Sequence, residues 1–211
     1  MPAITVSTPA ADRSLASLEV VKAELGITGP KSDTLLRGWI VSASDLVASA
    51  CGIAGDSLGD APPTFIEEVA AVAFAPAEMP DGHTLILPWR FPARVEAVSV
   101  GGAVLDASEY QAQPKAALLA RLGRPWGRHE VVITIRSGWT LDKVPSELRG
   151  VVVELVRLRW HGKDRDPTIR SYESPDVETI TYFDPDKMVM RGGLPADIAD
   201  RLSAYCSVVI A

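Results

Sequence analysis

The chain has 211 residues, 47% of them hydrophobic and 23% charged, with a net charge of -6. That balance argues against a surface built to grip phosphate backbones indiscriminately, and no apolar run is long enough to span a bilayer. Cys51 and Cys206, the only two cysteines, lie far apart in sequence and lack metal-ligand spacing, so they are expected as reduced, partly buried thiols rather than as a disulfide framework.

Charge is segregated along the chain. Residues 1–84 carry a net charge of -7, residues 85–139 a net of +3, and the remainder -2. A basic middle between acidic ends suits contacts between unlike neighbours in a ring, as well as a merely scattered surface charge.

Residues 1–16 contain Pro2 and Pro9 and no apolar period, and read as a flexible arm. They lack the basic start and long apolar stretch of a secretory signal, which predicts a protein that stays in the cytoplasm where it is made. A first helix is predicted over 17–25, with Leu18, Val21 and Leu25 on one face, Ser17 as cap and Gly26 as terminator. After the turn Thr28-Gly29-Pro30, a second helix is predicted over 32–50, with Leu36, Trp39, Ile40, Ala43, Leu46, Val47 and Ala50 at helical spacing. The short link makes the two a hairpin.

A Gly-, Asp- and Pro-rich loop follows. Thr64 to Phe74 fits a helix or a strand, and its β-branched and aromatic content favours the strand. Residues of about 64–139 then form a β insertion. It holds the short strand Leu85-Ile86-Leu87 stopped by Pro88, the turn after Val98-Ser99-Val100 at Gly101-Gly102, and the alternation of Val131, Ile133 and Ile135. Pro145 opens a third helix over 145–161, carrying Leu148, Val151, Val152, Leu155 and Leu158. Residues 162–211 read as an arm and a short final helix with Ile198, Leu202 and Tyr205 on one face. The predicted fold class is therefore α+β: a small helical bundle, with helices from the N- and C-terminal parts, and an inserted antiparallel β module.

Nothing in the chain spells out chemistry. His83, His129 and His161 form no two-ligand pair. No nucleophile elbow, phosphate loop or dinucleotide fingerprint is present. Asp164-Arg165-Asp166 and Asp184-Pro185-Asp186 lack the spacing of a calcium loop. No catalytic, cofactor-binding or metal-ligating residue is therefore assigned. The most suggestive cluster is Arg121, Arg124 and Arg128 around Trp126, which fits either contact with DNA or a structural loop. Tyr172 to Asp186 mixes five acidic residues with aromatics and has no basic residue. Such a composition suits an arm that gains order against a neighbour.

Several short motifs occur in a telling order: Asp33-Thr34-Leu35-Leu36 with Ile40 and Ala43-Ser44; Leu87-Pro88-Trp89-Arg90-Phe91-Pro92; Val98-Ser99-Val100-Gly101-Gly102 with Tyr110; Ile135-Arg136-Ser137-Gly138-Trp139 before Val144-Pro145; Asp166-Pro167; and Gly193-Leu194-Pro195 with Tyr205. In this order they resemble the head–tail connector (adaptor) proteins of tailed bacteriophages and gene transfer agents. The chain departs from the family pattern at Ile135 and Ser137, and in its apolar tail after Tyr205.

The resemblance implies a non-enzymatic virion protein that assembles a dodecameric ring below the portal. The ring would extend the DNA channel, bind no specific DNA sequence, and join the capsid to a downstream neck or tail protein. It would be made in the host cytoplasm and end in the particle. Under that resemblance the candidate portal contacts are Tyr172, Ile180, Tyr182, Phe183, Leu194, Ile198, Leu202 and Tyr205, and the candidate channel-lining residues are Glu173, Asp176 and Glu178. Two other readings compete: a nucleic-acid-binding module using the basic β region, and a small hydrolase or metal enzyme.

Overall fold

Ser17 starts the first helix by accepting a hydrogen bond from the Val20 N–H at 3.3 Å, and Gly26, at φ +65°, ends it in the left-handed region. The computed structural model in which this is seen describes residues 2–79, 82–163, 171–174, 178–181, 190–191 and 193–207. Helix α1 (Leu18–Leu25) turns into α2 (Asp33–Ala50). The turn is held by the Lys22 ammonium, which donates to the Gly29 carbonyl at 2.7 Å and to Asp33 at 2.6 Å. Helix α3 (Ser146–Gly162) follows Pro145, where a missing N–H costs nothing.

Leu18 and Val21 of α1, Leu36, Ile40, Ala43, Val47 and Ala48 of α2, and Leu148, Val151, Val152 and Val156 of α3 are buried together. Ser44 is buried among them and is satisfied twice: its hydroxyl accepts from the Leu15 N–H at 3.0 Å and donates to the Ile40 carbonyl at 2.7 Å. Leu158 lies off this face and is 49% exposed.

The expected helical bundle does not form. The fold is α+β, but its helices are scattered along the chain. Their shared core is closed by the non-helical residues Leu15, Ala16, Ile53, Phe65, Ile66 and Val144 and by Leu194 of a short strand. The physical reason is length. Helix α1 has eight residues and the last helix, α4 (Ala196–Arg201), has six. At about 1.5 Å per residue neither supplies the long seam that a bundle buries.

Two antiparallel sheets make the second half. The larger takes β1 (Ala3–Thr8), β2 (Glu68–Phe74), β4 (Ala93–Val100), β5 (Ala103–Val104) and β8 (Val131–Ser137), in the order β1-β2-β8-β4-β5. The smaller takes β3 (Thr84–Ile86), β6 (Tyr110–Gln113) and β7 (Leu118–Arg121), in the order β3-β7-β6. The ambiguous stretch before Pro76 is thus a strand. Strands β2 and β8 alternate strictly between buried and half-buried positions, as period-2 side chains on a one-sided sheet must. Ala70, Val72, Phe74, Val98, Val131, Ile133 and Ile135 meet Leu85, Leu87, Leu119 and Trp126 in a core of their own.

The expected flexible arm contains β1, so the large sheet is not wholly an insertion. Residues Ile4 to Thr8 pair with β2. The outer edge of β1 is covered by the loop after α2: Ile4 N–H donates to the Ser57 hydroxyl and Val6 N–H to the Asp56 carboxylate, each at 2.7 Å, and Ser57 N–H returns to the Ile4 carbonyl at 2.9 Å. An edge masked this way offers no open ladder. The signal in sequence is only Ile4 and Val6 between two prolines, too short to show a period.

The chain makes one close crossing. At the end of β8, Gly138 has φ +95°, and a Cβ there would stand 2.4 Å from the Ile66 carbonyl oxygen. Around it Gly138 N–H donates to the Pro92 carbonyl at 2.8 Å, Trp139 N–H to the Phe65 carbonyl at 2.8 Å, and Glu67 N–H to the Trp139 carbonyl at 2.9 Å.

Two expectations follow for stability. Gly138→Ala must displace backbone as well as adopt a left-handed conformation, so urea unfolding should show a loss of more than about 2 kcal/mol. Gly29→Ala, also at positive φ but with open space around it, should lose only about 1 kcal/mol. The Asp56 carboxylate is held below the ordinary 3.8 by hydrogen bonds from Val6 and Leu58 N–H groups. A carboxylate with a lowered folded pKa stabilises above its unfolded value and ceases to as pH falls through the folded one. The protection of the Val6 amide relative to its intrinsic exchange rate should therefore fall selectively as pH drops from about 5 toward about 2, and Asp56→Ala should abolish that dependence.

Candidate partner-binding surface

Helix α4 was expected to offer Leu194, Ile198 and Leu202 to a partner. All three are instead buried in the helical core, at 0%, 1% and 1% exposure. The apolar side of α4 therefore already has a partner in its own chain. Arg201 fixes the helix from outside through Glu154 of α3 at 2.8 Å.

Tyr205 belongs to an aromatic junction. Its ring lies 6.5 Å from Phe65 and 6.2 Å from Trp139, both edge-on. Trp139 in turn meets Phe65 and Phe91, each at 5.7 Å, and Phe91 stacks on Trp89 at 5.5 Å with an interplanar angle of 5°. The Trp89 indole N–H donates to the Tyr205 carbonyl at 3.1 Å. Burial and the nearby Glu147 carboxylate push the Tyr205 hydroxyl pKa up. Such offset and edge-on contacts add to area burial. Here they join the C-terminal turn to the loop before β4 and to the end of β8.

Beside this junction sits a charge pair that sequence reasoning missed. Arg90 and Glu68 are each 3% exposed and form an ion pair. Arg90 also donates to the Ser137 hydroxyl at 3.2 Å and to the Ala54 carbonyl. Burial pushes the Arg90 guanidinium pKa down to about 10, opposed by Asp56, so it remains charged at neutral pH. The signal was available in part. Glu68 occupies an inward position of the alternating strand β2, where a lone carboxylate demands a buried cation.

Between α3 and α4 lies a ribbon of two strands, β9 (Ser171–Ser174) and β10 (Glu178–Thr181), whose register sets Tyr172 opposite Ile180 and Glu173 opposite Thr179. Among the described residues the ribbon pairs with neither main sheet. A second small pair, β11 (Met190–Arg191) with β12 (Leu194–Pro195), leads into α4. Tyr182, Phe183 and Asp176 lie outside the described residues. The structure thus separates the expected contact residues into a ribbon set and a core set.

The basic cluster is divided as well. Trp126 is 1% exposed and Arg121 is 6% exposed, with its guanidinium 5.6 Å over the Trp126 ring and donating to the Trp126 carbonyl at 3.2 Å. Neither presents a stacking platform to a nucleic acid. Arg124 is exposed and faces Glu109 at 3.5 Å. The histidines do not converge: His83 touches the Arg121 carbonyl at 3.3 Å, His129 sits by the Gly101 and Gly127 turns, and His161 is near the end of α3. Among the described residues no group of three or more His, Cys, Asp and Glu is placed to hold a metal ion, and no helix is long and apolar enough to cross a membrane.

The surface carries open grooves. One of about 320 Å³ runs between α1 and α3 along Val20, Glu24, Arg149, Gly150 and Arg157. Another of about 620 Å³ is lined by Phe91, Pro92, Ala93 and Pro114. No protein-family model matches the chain, and no curated protein matches it significantly.

The buried pair makes a sharp expectation. Arg90→Leu should destabilise by about 3–5 kcal/mol, because Glu68 would be left buried and unpaired. The double variant Glu68→Leu/Arg90→Leu should recover most of that loss. Denaturant midpoints of the single and double variants decide it.

Proposed function

We propose that this chain is a non-enzymatic structural subunit, a head–tail connector that assembles into a ring below a portal and extends the DNA channel toward a tail-side component. The ordered run of short motifs from Asp33 to Tyr205 supports the class. The observation that carries the reading is the ribbon of β9 and β10, which among the described residues pairs with neither sheet of its own chain. A two-stranded ribbon is marginal alone in water, so it is suited to gain its stability from a neighbour.

The reading places partner contact on the ribbon rather than on the apolar side of α4. Tyr172 and Ile180 are the proposed contact residues, and Glu173 and Glu178 the candidates for an acidic channel wall that repels DNA and lets it slide. The two cores, joined at Gly138 and by the Arg90–Glu68 pair, form the frame from which the ribbon works. During assembly the protein resides in the host cytoplasm, and afterwards in the neck of the particle.

The test is reconstitution with purified phage portal protein, followed by electron microscopy. Ring density under the portal is expected for the intact chain. Replacement of residues 171–181 by a Gly-Ser linker should abolish it while far-ultraviolet circular dichroism of the subunit remains native. Absence of any ring with the intact chain, or a ring indifferent to the replacement, would sink the reading.

A further inference from the structure

The two cysteines, remote in sequence, are neighbours in the fold. Cys51 follows the last residue of α2 and is buried; Cys206 follows the last turn after α4 and is half-buried. Both belong to the helical core or its margin. A backbone hydrogen bond joins their two segments. Ser207 N–H donates to the Cys51 carbonyl at 2.9 Å. The Cys206 thiol donates to the Leu202 carbonyl at 3.2 Å, which fixes its rotamer against the turn. The segment bearing Cys206 also runs tightly past the end of α2, since a Cβ on Gly52 would stand 3.4 Å from the Ser207 Cβ. Both residues are free thiols.

We infer that Cys51 and Cys206 form a reversible redox site, a dithiol that a small-molecule disulfide such as oxidised glutathione closes into an intramolecular cross-link between the end of α2 and the turn after α4. The inference rests on the packing of these two residues and is independent of the connector reading.

The chemistry divides between them by exposure. Cys206, the more accessible sulfur, attacks one sulfur of the small disulfide as its thiolate, forming a mixed disulfide and releasing one small thiolate. Cys51 then loses its proton and attacks the Cys206 sulfur, which expels the second small thiolate and forms the protein disulfide. The two protein protons end on the two released thiols, and the small disulfide is the species reduced. Burial, reinforced by the adjacent Cys206, pushes the Cys51 thiol pKa well up, so the second step waits on local opening and closure is slow. A reducing cytoplasm keeps the pair open, and an oxidising exterior closes it.

Closure has a structural consequence. Leu194, Ile198 and Leu202 are held in the core by packing, with the Arg201–Glu154 ion pair outside. The cross-link adds a covalent tie across a long stretch of chain, which restricts the unfolded ensemble and holds α4 to α2.

The purified full chain is incubated with oxidised and reduced glutathione at graded ratios, and followed by free-thiol titration, intact mass, and peptide mapping without reduction. Both thiols should be lost together, with the mass of two hydrogens, and a single peptide pair linking Cys51 to Cys206 should appear and vanish with a dithiol reductant. Amide exchange in α4 should slow in the oxidised form. In Cys51→Ala the Cys206 mixed disulfide should accumulate instead of passing on. Persistence of both free thiols, a stable mixed disulfide on the unaltered chain, a cross-link between two copies, or unchanged exchange in α4 would each overturn the inference. The readouts on the unaltered chain hold even if the variant folds poorly.

Discussion

The fold depends on one seam, where a buried Arg90 meets Glu68 between two apolar cores. Desolvating two charges is expensive, and hydrophobic replacements are often no less stable. What the pair supplies is registration. Glu68 sits at the first inward position of β2, Ser137 at the last inward position of β8, and Ala54 in the loop after α2. One guanidinium addresses all three. A slip of β2 by one residue would turn Glu68 outward and leave Arg90 buried without its partner. The close passage of Gly138 beside Ile66 enforces the same alignment sterically. The aromatic junction of Phe65, Trp89, Phe91, Trp139 and Tyr205 then fills the space around the seam, so electrostatic, steric and packing constraints agree on a single docking of sheet on helices.

Much of this was legible in the residues. The first three helices were marked by punctuation or periodicity, Ser17 with Gly26, the apolar spacing from Leu36 to Ala50, and Pro145. Long periodic stretches between such signals leave little freedom. Strand β8 was equally plain from its alternation. Three features were not readable. Strand β1 is short and owes its place to Asp56 and Ser57, residues of a distant loop, so no local pattern announces it. The helical core is finished by single loop residues, and nothing local distinguishes a buried Leu15 or Phe65 from an exposed one. The final helix was visible as an amphipathic segment, but a stripe of Leu194, Ile198 and Leu202 has the same spacing whether it meets a partner or its own core.

That last point bears on how a subunit of this kind would associate. With α4 docked at home and β1 covered along its edge, the apolar side of α4 and one edge of the large sheet are already occupied by the chain itself. Among the described residues, the backbone pairing of the ribbon between α3 and α4 runs only between its own two strands, as does that of the short pair β11 and β12. A division between a pre-organised frame and an element completed by a neighbour lets assembly be strong only where the neighbour is present, since the ordering cost is met at that moment.

The tryptophans carry a last consequence. Trp39, Trp89, Trp139 and Trp160 all border the helical core, whereas Trp126 is enclosed in the sheet core beneath the Arg121 guanidinium. The molecule is thereby optically partitioned. Emission from Trp126 alone, with the other four indoles replaced by phenylalanine, would track the melting of the β half by itself, and a comparison with the complementary set would reveal whether the two halves come apart as one cooperative unit or in sequence.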